Sequence, residues 1–584
     1  MAESWRRSAE ALQFHQRKPP TLILSRPSMP NLFDSVRDIA KTTRWAGHAF
    51  TRYYNSAKQG LCLVCNNLQP HGHEDMFGRA GAGWQRNQFS ELNAHDRKWA
   101  AVPTLVLTKL KTKDILNCQA NNETGLPENP CKYCRLLFDI FEAFFVDEWM
   151  DWKTETINGM QISFGLMIQE GKPLVVNCTG FVHDKYLKHA RMDVEVYWDP
   201  QATYPNIPGL PTMGPTGTRD HDVRSPKCME FMRECVRECG AGHPACLVPF
   251  DGFIPTRLLY VGGGAECLRV CETHAWKNPT VWVALSHCWG GSKPLSLTRE
   301  TYDAFTAHID FHQLPETFKN AIAVTQTLNL PYLWIDSLCI IQGDKDDWAK
   351  EASRMAPVYS RAFVVVTTAS SEKPEVPILG PREDDWLPKR FQFTLVPGVS
   401  VPIIARKRHM LAAPLEQGLY EPPFSPSWAE LKRLGPLYDR GWCFQEAHLA
   451  TRNLQFTPGA IVFECKTHRR SEDQLPPYPS TLGAAKQSPA EQWRMIVKAF
   501  TTRDLTYGSD KLPAIAGAAT IMPQAGSSQY LAGMWSDSLH LDLLWRVRPY
   551  DILAGCYYSP LSYADDDGGP PTWSVVPVRN ATGT

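Results

Sequence analysis

Glu351, Asp336 and the run Ser286-His287-Cys288-Trp289-Gly290 are the residues of this chain whose types and placement suit chemistry on a small molecule. Helical spacing puts Trp348, Ala352, Met355 and Tyr359 on one apolar face, with Glu351 at its edge. A carboxyl placed there is partly desolvated, which raises its pKa and poises it for acid–base or charge-stabilising work. A surface glutamate paired with Lys350 or Arg354 would show the same spacing. Asp336 ends a strand of otherwise apolar residues, so it stands at a crevice mouth if the sheet is parallel; an aspartate there also suits the cap of a turn. Ser286, Trp289 and Gly290-Gly291 follow another strand and suit either a ligand-facing loop, where glycine permits close backbone approach, or a tight turn. Adjacent strand residues point to opposite faces, so Ser286, His287 and Cys288 do not converge as a nucleophilic set.

Cysteine spacing supplies a second group. Cys62-x-x-Cys65 and Cys131-x-x-Cys134 have the interval at which two thiolates share a tetrahedral zinc, with His71 and His73 near the first pair. Cys235, Cys239, His243 and Cys246 form a further compact run. Zinc is therefore a possible cofactor, but small buried thiols in a core account for the same residues, and no set is assigned as a metal site.

The elements that must hold these residues alternate. Val281–Leu285 reads as a buried strand, Pro315-Glu316 opens a helix carrying Phe318, Ala321, Ile322, Thr325 and Leu328 at helical spacing, and Asn329 with Pro331 closes it. Tyr332–Ile335 is a second strand, Asp346–Tyr359 a second helix, and Phe363–Thr368 a third strand rich in β-branched residues. This alternation predicts right-handed crossovers and a three-layer α/β core with a parallel sheet. Strands are also predicted at 104–107, 193–197, 393–396, 454–456 and 461–465.

The chain is expected to divide into an extension (1–57), an irregular Cys-rich N-terminal region (58–250), the α/β core (255–446) and a mainly helical C-terminal region (447–584) whose short polar tail reads as the end of a truncated or incomplete domain. Residues 199–224 read as a connector, 381–438 as loop-like, and Arg406-Lys407-Arg408 as a solvated strand end. At 584 residues there is ample material for several cores. Lys plus Arg and Asp plus Glu both number 61, so no global field favours nucleic acid or an anionic membrane. Without an apolar leader or a run long enough to span a bilayer, a soluble cytoplasmic protein is expected, and with it reduced thiols among the 17 cysteines.

Taken together these motifs resemble the fungal heterokaryon incompatibility (HET) domain. The resemblance rests on Ala284–Gly290, Leu314-Pro315, Tyr332–Gln342, Asp347-Trp348-x-x-Glu351-x-x-x-Met355-x-x-x-Tyr359 and Arg440-Gly441-Trp442-Cys443-Phe444-Gln445-Glu446, with weaker likeness in the flanks. His287 stands where Tyr is common in the family, and Gly343 where an acidic residue is frequent. The resemblance implies participation in non-self recognition between fungal cells, ending in growth arrest or programmed cell death. It also implies likeness to Toll/interleukin-1-receptor (TIR) domains, a flavodoxin-like fold. In TIR enzymes a Trp-x-x-Glu-like helix supports cleavage of the nicotinamide–ribose bond of NAD, and Trp348-Ala349-Lys350-Glu351 lines up with it. On that likeness Glu351 is the candidate catalytic residue, Ser286, Trp289, Gly290, Asp336 and Trp348 line the candidate NAD pocket, and NAD is the candidate substrate. The alternative is a non-enzymatic module that self-associates or binds a protein partner.

Overall fold

The computed structural model describes residues 216–248, 251–278, 280–291, 294–396, 399–408, 436–473, 478–479, 488–501, 503–505, 508–522 and 528–543, together with 68, 106–111, 131–144, 161–168, 173–181, 193–198, 214, 550–551, 556–557 and 579–580. The Cys62-x-x-Cys65 pair, His71 and His73 lie outside the described residues. No helix among those described is long and apolar enough to cross a membrane.

Two sheets organise the chain. The first joins Val106–Lys111 (β1), Gln161–Ile168 (β2), Leu174–Phe181 (β3) and Asp193–Trp198 (β4) to a hairpin from much later in sequence, in the order β1-β2-β3-β4-β11-β10, all antiparallel. The hairpin is Lys389–Val396 (β10) with Val399–Arg408 (β11), so the segment expected to be mostly loop contributes two long strands. Lys132–Phe144 (α1) packs near it, Tyr133 against Phe393 and Phe144 against Phe391.

The second sheet holds the predicted core. It contains Arg257–Tyr260 (β5), Arg269–Glu272 (β6), Val283–Ser286 (β7), Tyr332–Trp334 (β8), Val364–Thr367 (β9), Arg452–Phe456 (β12), Ile461–Cys465 (β13), His468–Ser471 (β14) and Tyr478–Pro479 (β15), ordered β15-β14-β13-β12-β9-β7-β8-β5-β6. The four central strands β12, β9, β7 and β8 run parallel, while β5–β6 at one side and β13–β15 at the other are antiparallel. The architecture is thus mixed α/β, and the sheet is mixed where a purely parallel one was expected. Strands added by tight hairpins need no crossover helix, which is why both flanks of the parallel centre are antiparallel.

Helices cover both faces. Pro226–Gly242 (α2) and Glu316–Thr327 (α4) pack on the face carrying Val283, Leu285, Leu333, Val364 and Val366. Tyr302–Ala307 (α3) precedes α4. Asp336–Cys339 (α5) follows β8 directly, and Lys345–Ser360 (α6) covers the opposite face, where Val358 and Tyr359 meet Ala284, Trp334 and Val365. Period-two alternation along β7 and β9 thus feeds two cores, which is what makes each strand apolar throughout. Asn329 adopts a left-handed φ of 56° just past α4, the conformation that ends a helix at modest cost when the residue is Asn. Asp344 caps α6 by accepting from the Asp346 and Asp347 amides.

The apolar face of α6 differs from the expected one. Trp348 is 47 % exposed, and the inward residues are Asp347, Glu351, Val358 and Tyr359. Arg257 forks onto Asp347 with contacts of 2.7 and 3.0 Å, so a charge pair takes the position that apolar periodicity reserves for a hydrophobe. Beyond the core, Gly441–Leu449 (α7), Pro489–Phe500 (α8) and Lys511–Ala519 (α9) pack together through Trp493, Phe500, Ala514 and Ala518, with Trp442 and Phe444 against them.

Candidate functional site

The central parallel strands follow the chain order second, first, third, fourth, so the direction of winding reverses between β7 and β9. In open α/β sheets the crevice at such a reversal, outside the strand carboxyl ends, is where ligands bind. Ser286 ends β7 there, fully buried, beside Thr367 at the end of β9.

Ala284 faces α6, and Ser286, two residues on, points the same way. Over it α7 brings Glu446, and α6 brings Tyr359, whose hydroxyl donates to the Leu285 carbonyl at 3.0 Å. Burial pushes the Glu446 carboxyl up to about 7; the Ser286 and Tyr359 hydroxyls and Arg440 oppose the rise, and the Asp336 charge adds to it. Glu446 Oε2 and Gln445 Oε1 are buried and have no well-formed hydrogen-bond partner among the described residues, and the Ser286 hydroxyl lies close enough to Glu446 to favour its charged form. Such unspent capacity is rare in a folded core and collects where function demands it. Burial raises the thiol of Cys443, one turn before Glu446 on α7, well above its ordinary value, and Glu446 adds to that, which disfavours the thiolate.

Asp336 and Trp289 meet: the indole Nε1 donates to Asp336 Oδ2 at 2.8 Å. Asp336 also accepts from the Ser337 amide at 2.7 Å, so the turn-capping role holds alongside any other. His287 turns to the opposite face, edge-on to Phe318 at 5.1 Å, with its Nδ1 3.7 Å from Asp336 and its pKa lowered by burial. The His287 side chain therefore does not converge with Ser286, while Cys288 packs against Cys443. Gly290, at φ +60°, does permit a close approach, but to its own chain: a Cβ there would stand 2.4 Å from Lys373 Cβ and 2.6 Å from the Glu372 carbonyl.

Glu351 is 2 % exposed and accepts from Thr256 Oγ1 at 2.6 Å. Thr256 immediately precedes β5, so Glu351 sits at the carboxyl end of β8 on its β5 side, beside the Arg257–Asp347 pair. The structure thus brings Ser286, Asp336 and Trp289 into one neighbourhood with Glu446. Glu351 is tied instead to Thr256, and Trp348 points outward. Glu446 carried no assigned role in the sequence, although one signal was present: a lone acid two residues past the bulky run Trp442-Cys443-Phe444, on a helix without a distinct polar face.

A separate open hollow of about 710 Å3 lies against Tyr260, Trp276, Tyr302, Tyr332 and Arg269. Tyr332 begins β8, so this hollow sits at the amino ends of the parallel strands, away from Ser286.

The buried polar side chains thus gather at the place in an open α/β sheet where ligands bind. Residues 282–446, which span β7 to Glu446, match the family model described as heterokaryon incompatibility protein (HET), and the chain therefore carries a HET domain. No curated protein and no solved structure matches the chain.

Proposed function

We propose that this protein acts in fungal heterokaryon incompatibility and that its HET domain arrests or kills the cell by cleaving the nicotinamide–ribose bond of NAD. The observation that carries the reading is the buried carboxyl of Glu446 at the winding reversal, with Asp336 beside it. The strand order second-first-third-fourth is also the order of a flavodoxin-like core, which supports the TIR-like likeness. In the reaction the C1′–N bond breaks with its electron pair leaving on neutral nicotinamide, and positive charge builds on the ribose. An ionised Glu446 would stabilise that charge and take the proton released as water adds to C1′. Asp336 and Trp289 would hold the sugar or base, with Ser286 as a hydrogen-bond partner. Glu446 is only 6 % exposed, so catalysis on this reading requires activation to open the strand ends.

The Trp-x-x-Glu likeness nominates Glu351 for the same role, and the two glutamates can be separated. Nicotinamide release by purified, oligomerised protein should fall at least ~100-fold in Glu446→Gln. Loss in Glu351→Gln with full activity in Glu446→Gln would transfer the role to the α6 carboxyl.

A second reading, in which the domain signals by assembly alone, draws on the outward-facing Trp348 and the aromatic hollow beside β5 and β6. Toxicity on overexpression that survives both glutamate changes, yet is lost in Trp348→Ala, would favour it.

A further inference from the structure

We infer that the chain holds a structural zinc ion between the end of α2 and the β13–β14 turn, ligated by Cys239, His243, Cys246 and Cys465. Three of these come from one short stretch: Cys239 lies in the last turn of α2, His243 is its C-cap residue, and Cys246 ends the short 3-10 turn that follows. The fourth comes from more than 200 residues away, at the last position of β13. One ligand atom from each lies within 4.8 Å of every other. Zn–S and Zn–N bonds of ordinary length in a tetrahedron place sulfur about 3.8 Å from sulfur and about 3.6 Å from nitrogen. Cys465 Sγ stands 3.5 Å from His243 Nδ1.

The surroundings suit thiolates. Arg452 Nε donates to Cys239 Sγ at 3.1 Å, and Nη2 of the same guanidinium donates to the Cys246 carbonyl at 2.9 Å. The His468 amide points at Cys465 Sγ at 3.4 Å, and the Thr467 hydroxyl lies 3.6 Å from Cys246 Sγ. Zinc with three thiolates and one imidazole carries a single net negative charge, and Arg452 supplies the neutralising positive one. All four positions are filled by protein and the three cysteines are buried, the pattern of a closed structural site and not of a catalytic one. Its role is to pin α2 to the antiparallel flank of the sheet, beside the ion pairs of Arg470 with Glu234 and Glu238. Cys235, which sequence spacing placed with Cys239, His243 and Cys246, is outside the ligand group, and Cys465 takes its place.

Metal analysis of the full-length protein tests this. Cys465→Ser should carry one equivalent of zinc fewer than wild type, and Cys235→Ala should keep the wild-type content; equal zinc in Cys465→Ser and wild type would overturn the site. Should Cys465→Ser fail to fold, His243→Cys replaces nitrogen by sulfur in an otherwise intact set. On cobalt substitution it should retain a tetrahedral ligand-field spectrum with a stronger sulfur-to-cobalt charge-transfer band. A spectrum identical to wild type, or absent from both, would reject the assignment.

Discussion

The side chain with most to explain is Glu446, because a carboxyl kept near 7 carries a stability signature as well as a chemical one. Between the ordinary glutamate value of 4.5 and about 7 the folded chain holds a proton that the unfolded chain has released. Stability is therefore highest below that window and declines as pH rises through it, by about 3 kcal/mol in all. Glu446→Gln should remove this decline, and urea midpoints measured across the window check it. The placement of Asp336, Ser286 and Trp289 at strand ends was legible from sequence because a strand end followed by a polar residue is a local pattern. The burial of Glu446 was not, because it is imposed by α6 and the strand ends, which are distant in sequence. Trp348 failed for a related reason: Arg257, some 90 residues away, draws Asp347 inward and rotates the helix face away from the one that apolar spacing predicts.

At the scale of elements, the helices and strands from β7 to β9 fall within two or so residues of their expected bounds, since strong β-branched runs, Asp344 as a cap and Asn329 as a stop are local signals. The α2 helix was missed: its cysteines and its Glu and Arg residues read as irregular, and its apolar face becomes legible only against the sheet. Two contacts between elements invite tests. Removing the guanidinium in Arg257→Ala leaves Asp347 buried and uncompensated between β5 and α6, and should cost about 3–5 kcal/mol in urea unfolding. Gly517 on α9 lies so close to α7 that a Cβ would stand 1.8 Å from Gln445 Nε2. Gly517→Ala should therefore destabilise by about 1–3 kcal/mol and disturb the helix bearing Glu446, read as a lower melting temperature together with reduced nicotinamide release.

Across the whole molecule, the two sheets meet through buried charge. Arg406 at the end of β11 is fully buried, donating to Glu195 at 2.8 Å and to the carbonyls of Gly217 and Asp473, while Arg219 holds Asp473 at 2.5 Å and Arg382 pairs with Glu472. The sequence reading of Arg406 as a solvated strand end was wrong, because a lone basic cluster looks solvated until partners from residues 195 and 473 are folded against it. Burial alone would raise the Asp473 carboxyl, but Arg406 and Arg219 together hold it well below the ordinary carboxylate range. Its contribution is present above the unfolded value of about 4 and is lost as pH falls towards the folded one. Asp473→Asn should therefore be less stable at neutral pH, with a flatter loss on acidification, as measured by denaturant midpoints down the acid limb. The parallel centre of the sheet was legible because crossovers impose alternation, whereas of the antiparallel strands only pieces such as 393–396 and 461–465 were legible, since the place of β10–β11 depends on the pairing of β11 with the distant β4.

The rate of nicotinamide release from NAD by the purified, oligomerised protein, followed against pH in wild type and Glu446→Gln, tests the central claim most directly. The wild-type rate should climb as pH rises through about 7, where the Glu446 carboxyl loses its proton, and the variant should show almost none. Equal release by both proteins with a flat profile would contradict it.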